Sequence, residues 1–397
     1  MNHSDYGPEE QHLLALAAPS FDTYSETFIR DHVRTIAPGQ TVLLCQHDGG
    51  SDQFGCPVLS PIRTWNPPQT LRQRIVNGFR YRWRVYVDPG LGAGDRRRVF
   101  QFLGAHKPRA LLAEYGPIGC LLMSVCREAN IPLFVHFHGY DASILLRYRH
   151  QRRHYHSLFG EASGIIVPSR FLADKLADIG CPVEKLYVSP GGVDPGRFTP
   201  TRRLPERLLA VGRLVEKKAP HLTIQAFKQI AGRYPHAQLD MIGDGPLADR
   251  CRALVEALGL GDRVRLHGAR DSDFVARLMG EASVFVQHSV TAPNGDVESF
   301  GVSLVEAMAS AVPVVTTRHN GFEDTIDDGI TGILVPEHDV DGMAAAIAEL
   351  LDDPERAARM GEAGRDRVLA HFTLEKSRDR LRAIMGFRPQ TNLQSAA

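Results

Sequence analysis

The chain has 397 residues, 43% apolar and 23% charged, with 46 Lys plus Arg balanced by 46 Asp plus Glu. These proportions fit ordered globular domains and exclude wholesale disorder, collagen-like repeats and coiled coil. No apolar run reaches the roughly 20 residues of a membrane helix, and neutral bulk charge points to no nucleic acid.

The polar, acidic start reads as no secretory signal, so a cytoplasmic protein is expected. Its six cysteines, none in a Cys-x-x-Cys pair, are then reduced buried thiols. One stretch departs from neutrality. Residues 61–153 carry fifteen Arg and one Lys against five Asp or Glu, with Arg63, Arg72, Arg74, Arg80, Arg82 and Arg84 among them. The region 63–98 is therefore a candidate contact with an anionic membrane surface. A solvated arginine-rich face is the plain alternative.

Apolar runs at 13–18, 41–46, 110–114, 132–137, 164–168 and 185–189 read as strands, followed by 207–212, 238–242, 263–267, 283–288, 313–317 and 332–335. Several are continuous rather than alternating, as strands buried on both faces are. Amphipathic stretches such as 222–233, 246–258 and 339–351 lie between them. The pattern predicts an α/β protein of two Rossmann-like doubly wound parallel-sheet domains. The Pro- and Arg-rich text at 196–206 lacks periodicity and reads as a linker between domains 1–195 and 207–373. A helix at 374–390 is expected to pack back on the first domain, ahead of a disordered tail at 391–397. Ligands of such sheets sit beyond the carboxyl ends of the strands, and the informative residues follow the strands.

After the first strand, Thr23 and Glu26 make a capping box. It opens a helix whose N-terminus can face an anion. After the strand at 132–137, His136 and His138 could mimic a metal pair, but no third ligand is evident. His138 alone, at a strand end, could hydrogen-bond a sugar hydroxyl. After the strand at 207–212, Arg213 and Lys218 can converge on one diphosphate, as a bidentate donor and a point charge. A leaving diphosphate gains charge that such cations stabilise.

Gly243, Asp244, Gly245 and Pro246 read as a strand, a tight turn and Pro at helix N1. That is a structural turn or, beside a nucleotide, a backbone wall. Asp271-Ser272-Asp273 reads as a helix cap rather than a metal motif. Finally, 301–310 reads as a helix entered from a polar loop at 291–296, with Glu298 before it and Glu306 within it. If the segment were helical throughout, the two carboxylates would lie about 12 Å apart. That is too far for the paired carboxyls of a glycoside hydrolase. It suits an elongated ligand held by an acid at each end, with an anion on the free helix amides between. Two exposed helix acids are the bland alternative.

Together GRLVEKK (212–218), GDGPL (243–247) and ESFGVSLVEAMASAVPVV (298–315) resemble the retaining glycosyltransferases of family 4. So do HFHGYDAS (136–143), VPSRF (167–171), GGVDPGRFTP (191–200) and GFEDTIDDGITGILVPEHD (321–339). The resemblance covers about residues 10–385, and SETFI (25–29) resembles the subset that builds bacterial exopolysaccharides. It implies the GT-B fold, with two Rossmann-like domains facing across a cleft. It also implies a UDP- or GDP-linked sugar donor on the C-terminal domain, a saccharide or lipid-linked acceptor, and no cofactor or essential metal.

Carried onto this chain, Glu298 would bind donor-sugar hydroxyls and Glu306 the ribose. Arg213 and Lys218 would bind the diphosphate, with the amides of Phe300, Gly301, Val302 and Ser303. Gly243 and Gly245 would line the donor, His138 would lie near the reaction centre, and the loop at 25–27 would close over the donor. Three departures stand out. A Gly-Gly loop common in the family is Asp22–Thr27 here, and Ala219 follows Lys218 where Gly is frequent. Ala311 also replaces a common Gly, which reads as packing. Rival readings are a GT-B epimerase or phosphorylase, a nicotinamide-dependent oxidoreductase lacking its glycine fingerprint, and a non-catalytic sugar-nucleotide sensor.

Overall fold

The computed structural model describes residues 12–23, 26–47, 50–62 and 89–387. The expected membrane contact from Arg63 to Arg84, the loop residue Ser25 and the tail 391–397 lie outside them. The chain divides into two compact units. One comprises Met1–Val167, Leu172–Ser189 and Arg378–Ala397, the other Pro168–Phe171 and Pro190–Ser377.

The first unit is built on β1 (Leu14–Ala18), β2 (Thr41–Cys45), β3 (Val58–Leu59), β4 (Ala110–Glu114), β5 (Leu133–His136), β6 (Gly164–Val167) and β7 (Leu186–Val188). They pair in the order β3-β2-β1-β4-β5-β6-β7, all parallel. The second contains β8 (Arg207–Val211), β9 (Gln238–Ile242), β10 (Val264–Leu266), β11 (Val284–Gln287), β12 (Val314–Thr317) and β13 (Gly332–Val335). Their order is β10-β9-β8-β11-β12-β13, again all parallel. Both orders are doubly wound, with crossovers leaving in opposite directions at β1/β4 and β8/β11. That is where such sheets open a crevice at their carboxyl ends. Only β3, two residues long, has no counterpart among the expected runs. The other strand ends shift by one or two residues, as frayed termini do.

The apolar runs form strands because both faces are covered. Every residue of β1, β2 and β4 is buried. In the second sheet, successive side chains feed opposite layers. Leu208, Ala210, Val284 and Val286 join helices Pro220–Ala231 and Val340–Asp352 on one face. Leu209, Phe285 and Val314 join helices Ser272–Glu281 and Val302–Ala309 on the other. Each fully buried Leu or Phe stabilises by about 1.5–3 kcal/mol. The helix Leu374–Ile384 delivers Leu381, followed by Met385 and Phe387, to the core of the first unit beside Leu14, Leu16 and Leu43. Five of the six cysteines are buried, all as thiols. Among the described residues no helix is long and apolar enough to cross a membrane.

Several local expectations are corrected. The capping box does not form. The first helix is Thr27–Thr35, and Glu26 instead accepts the Tyr115 hydroxyl at 2.7 Å while Thr23 Oγ1 lies 3.0 Å from Ser20 Oγ. Pro246 is not at N1, because its helix begins at Ala248 after the cap residue Leu247. Ala219 and Ala311 hold positive φ, 35° and 56°, so both stand where a left-handed backbone favours Gly and Ala311 is not a matter of packing alone. Asp271 does cap its helix, accepting from the Phe274 amide at 2.8 Å.

The helix Pro354–His371 carries two glycines with opposite prospects. A Cβ on Gly361 would fall 1.8 Å from the Ala311 carbonyl oxygen, whereas one on Gly364 would meet ordinary contacts from 3.4 Å. Helix propensity favours Ala over Gly by about 1 kcal/mol at both. Gly361→Ala is therefore expected to lower the melting temperature by several degrees and Gly364→Ala to leave it unchanged or raised. Thermal unfolding monitored by circular dichroism checks the pair.

Candidate active site

In the second unit the turn after β8 is pressed against the turn after β9. The Gly212 amide donates to the Ile242 carbonyl and the Leu214 amide to the Asp244 carbonyl, both at 2.9 Å. The Gly243 amide donates to the Gly268 carbonyl at 2.9 Å. Gly243 sits at φ 141°, and a Cβ there would fall 2.0 Å from the Gly212 carbonyl oxygen. Gly243 and Gly245 thus serve first to let two backbones touch. The contact fixes the course of the chain from Gly212 to Lys218.

That course separates three cations. Arg213 is exposed and has no hydrogen-bond or ion-pair partner among the described residues. Lys217 turns to the loop before the next helix, donating to Asp296 Oδ1 at 3.2 Å and the Val297 carbonyl at 3.1 Å. Lys218 turns inward, with Nζ 3.1 Å from Glu298 Oε2 and 3.4 Å from Gln287 Oε1. Of the two lysines, it is Lys218 that reaches Glu298. Gln287, the last residue of β11, also accepts the Ser303 hydroxyl at 3.0 Å and donates to Ser289 Oγ at 2.9 Å. Lys218 thus ties the β8 turn both to Glu298 and, through Gln287, to Ser303 at the start of the helix Val302–Ala309.

The helix is entered through Gly301 at φ 73° and runs Val302–Ala309, close to the bounds read in the sequence, so Glu298 lies outside it and Glu306 within it. Val302 and Ser303 occupy its first two positions, where amides lack a partner one turn back and the dipole favours an anion. Phe300 is buried against Phe372, 5.9 Å between ring centroids, which leaves its backbone as the part available to a ligand. Glu306 lies four residues beyond the exposed Val302, on the same helix face.

The two glutamates are poised oppositely. Burial alone would raise the Glu298 carboxyl, but Lys218 and Lys217 outweigh it and hold it at about 2. Burial pushes the Glu306 carboxyl up to about 7 against a smaller pull from Lys218 and Arg197. The backbone of Glu298 is anchored too, its amide donating to His319 Nε2 at 3.0 Å while His319 Nδ1 pairs with Glu337. Glu337 also accepts the Thr291 amide at 2.8 Å. His319, Glu337 and Gln287 went unread in the sequence. A His and a Glu after successive strands were their only signal, and nothing in spacing links them to residue 298.

In the first unit the carboxyl ends of β4 and β5 bring four polar side chains together. Glu114 Oε1 lies 2.7 Å from His32 Nδ1, and Oε2 lies 2.7 Å from His138 Nε2 and 3.5 Å from His136 Nδ1. His32, Glu114 and His136 thus offer three metal-type donors within 4.8 Å, so the expectation that His136 and His138 lack a further ligand-type neighbour is corrected. Asp141 accepts the amides of His138 at 2.9 Å and Gly116 at 2.9 Å, which ties the loop after β5 to the helix Gly116–Glu128.

The raised Glu306 carboxyl generates a stability prediction. Its folded pKa of about 7 exceeds the ordinary 4.5. Between those values the folded chain holds a proton the unfolded chain has lost, so stability falls as pH rises through this window and the loss is complete above 7. At roughly 1.4 kcal/mol per unit the loss is up to about 3 kcal/mol. Glu306→Gln removes it. The variant is expected to melt higher than the parent at pH 8 and at the same temperature at pH 4.5, as differential scanning calorimetry across pH would reveal.

Comparison with known proteins bears on the whole chain. Residues 36–197 match the family model described as Glycosyltransferase Family 4, and residues 200–367 that described as Glycosyl transferases group 1. The chain is 35% identical over 245 residues to the putative colanic acid biosynthesis glycosyltransferase WcaL of Salmonella typhimurium, covering 60% of each. It is 32% identical over 240 residues to the amylovoran biosynthesis glycosyltransferase AmsK of Erwinia amylovora, covering 59% of each. The matches thus span less than two thirds of these relatives' length. The crystal structure of Anabaena HepE in complex with UDP superposes with a TM-score of 0.76 at 19% identity, over 94% of this chain and 99% of that one. The chain is thus similar to Glycosyltransferase Family 4 over residues 36–197 and to Glycosyl transferases group 1 over residues 200–367, on a fold of the GT-B type.

Proposed function

We propose that the protein transfers a hexosyl unit from a UDP- or GDP-linked sugar to an acceptor hydroxyl with retention of configuration, in the assembly of an exopolysaccharide or glycolipid. The observation that carries this reading is that Lys218 meets Glu298 and, through Gln287, the Ser303 hydroxyl at the start of the helix Val302–Ala309, with the exposed Arg213 on the same turn as Lys218. Arg213 and Lys218, with the amides of Phe300, Gly301, Val302 and Ser303, take the diphosphate. Glu298, ionised by Lys218, accepts hydrogen bonds from sugar hydroxyls. Glu306 takes the ribose hydroxyls, and Gly243 and Gly245 line the donor.

As the sugar–phosphate bond breaks, its electron pair passes to the phosphate oxygen. Arg213, Lys218 and the helix N-terminus stabilise the charge that develops there. The acceptor oxygen bonds to the anomeric carbon from the same face, and its proton passes to the departing phosphate. Two protein cations in place do the charge neutralisation without a metal or cofactor. The relatives WcaL and AmsK, named for colanic acid and amylovoran biosynthesis, and HepE, crystallised with UDP, support this class of donor and product.

A panel of UDP-, GDP- and ADP-sugars screened by thermal shift is expected to raise the melting temperature with one nucleobase. Lys218→Ala is expected to cut turnover at least 100-fold while the protein stays folded, since an interaction of this kind contributes about 3–4 kcal/mol to the barrier. Near-parental turnover in that variant, or no response to any nucleotide sugar, would sink the assignment.

A lipid-linked acceptor is favoured by a basic hollow of about 580 Å³ in the first unit, lined by Arg147, Tyr148, Arg149, His150 and Arg153. It lies at the start of the helix Arg149–Glu161, where the dipole adds to the cationic side chains. Flotation with vesicles of anionic lipid is expected to capture the protein at low salt and release it at high salt. The double variant Arg149→Glu, Arg153→Glu should bind markedly less. Equal capture by neutral vesicles would count against the membrane-bound acceptor.

A further inference from the structure

The residues assigned to the donor leave unused the polar cluster at the carboxyl ends of β4 and β5. We propose that His32, Glu114 and His136 bind one divalent transition-metal ion of the zinc class, which clamps the helix Thr27–Thr35 to the ends of those two strands. All three ligands belong to the first unit. The inference therefore does not depend on the transferase reading.

Three separate elements supply the site. The helix Thr27–Thr35 carries His32, β4 ends on Glu114 and β5 ends on His136. One donor atom from each lies within 4.8 Å of the other two, and all three residues are buried. Burial alone would raise the Glu114 carboxyl, but His32, His138 and His136 together outweigh it and hold the group well below the usual carboxylate range. Glu114 thus presents a charged oxygen donor between imidazoles.

His136 gives the second observation. Its Nδ1 is buried without a hydrogen-bond partner, 3.5 Å from Glu114 Oε2. Buried polar atoms are nearly always satisfied, and one that is not calls for an explanation. The His136 ring is stacked on that of His32, with 5.4 Å between centroids and 26° between planes. Two imidazoles therefore flank one carboxylate while only His32 is hydrogen-bonded to it. A cation shared with Glu114 supplies the partner that His136 Nδ1 lacks.

The donor set chooses the class of ion. Imidazole nitrogens with one carboxylate suit zinc, cobalt or nickel, whereas magnesium and calcium take shells of oxygen. Three protein ligands leave the fourth position of a tetrahedral ion to water. Ligands about 2.0–2.1 Å from such an ion lie roughly 3.3 Å apart. The His136–Glu114 separation of 3.5 Å is already near that value. The His32–Glu114 separation of 2.7 Å is a hydrogen bond, so it must widen by about 0.6 Å. The ion then takes the place of the hydrogen on His32 Nδ1, which shifts to Nε2 of the same ring. His138 Nε2 lies 2.7 Å from Glu114 Oε2 and steadies the carboxylate from outside the ligand set. A cluster held by hydrogen bonds alone is the competing account. It explains His32 and His138 but leaves His136 Nδ1 with nothing.

The test uses the whole chain without a histidine tag. After loading with zinc and dialysis into metal-free buffer, the parent is expected to retain about one equivalent, measured by plasma mass spectrometry. Zinc should also raise its melting temperature by several degrees, since the ion binds only the folded chain. With cobalt in place of zinc, the strong visible absorption of a four-coordinate ion is expected. Glu114→Gln and His136→Asn each remove a ligand. Their affinity should fall by more than the roughly 10–100-fold that loss of an outer partner costs. His236→Asn, at an exposed position in the other unit, should retain the ion as the parent does.

A parent that retains no zinc, or ligand variants that retain as much as the parent, would overturn the proposal. So would an octahedral cobalt spectrum, or none. That spectrum is read on the parent, so it decides the matter even where a variant does not fold.

Discussion

Lys218 and Glu298 stand 3.1 Å apart with less than a fifth of either side chain exposed. Opposite charges so placed are costly to separate, because truncating one leaves the other desolvated and alone. The pair joins two stretches of backbone that the sheet alone would leave unconnected, the turn after β8 and the loop that enters the helix Val302–Ala309. Gln287 braces it from the end of β11, and Lys217 pins the same loop from its other side. The crevice at the β8/β11 switch point is thereby given rigid walls. Lys218 is charge-balanced by Glu298, whereas Arg213 is exposed and has no ion-pair partner among the described residues.

Glu298 and Glu306 show how strongly placement governs one side-chain type. Two lysines keep the first ionised, whereas burial without a close cation leaves the second near the midpoint of its titration at neutral pH. A permanent anion can only accept hydrogen bonds, while a carboxyl that shares its proton can donate as well. The cluster in the first unit applies the same logic to Glu114, where three imidazoles take the role of the lysines. Each unit thus buries a carboxylate beyond its strand ends and surrounds it with cationic or hydrogen-bonding partners.

The strands were legible because a parallel sheet covered on both faces demands unbroken apolar runs, and β1, β2 and β4 are wholly buried. Arg213, Lys218 and Glu298 were legible as motifs after strands. What escaped was whatever depends on distant segments converging. His32 reaches Glu114 across 82 positions, and His319 reaches the backbone of Glu298 across 21. Local pattern gave Thr23 and Glu26 the spacing of a cap, but the Tyr115 hydroxyl offered Glu26 a stronger partner. Ala219 and Ala311 look like unremarkable small residues until their dihedral angles are known.

Leu381, Met385 and Phe387 complete the apolar layer over β1 and β2, and Arg382 bonds the carbonyl of Ile36 across 346 positions. Such a contact closes a very long loop, and it does so last in time as well as in sequence. While the chain is being synthesised, the sheet nearest the start must wait with one greasy flank uncovered. It gains that cover only once the helix Leu374–Ile384 has left the ribosome. Protection of that flank in the interim falls to chaperones or to speed, so the earliest-made sheet is the latest to mature.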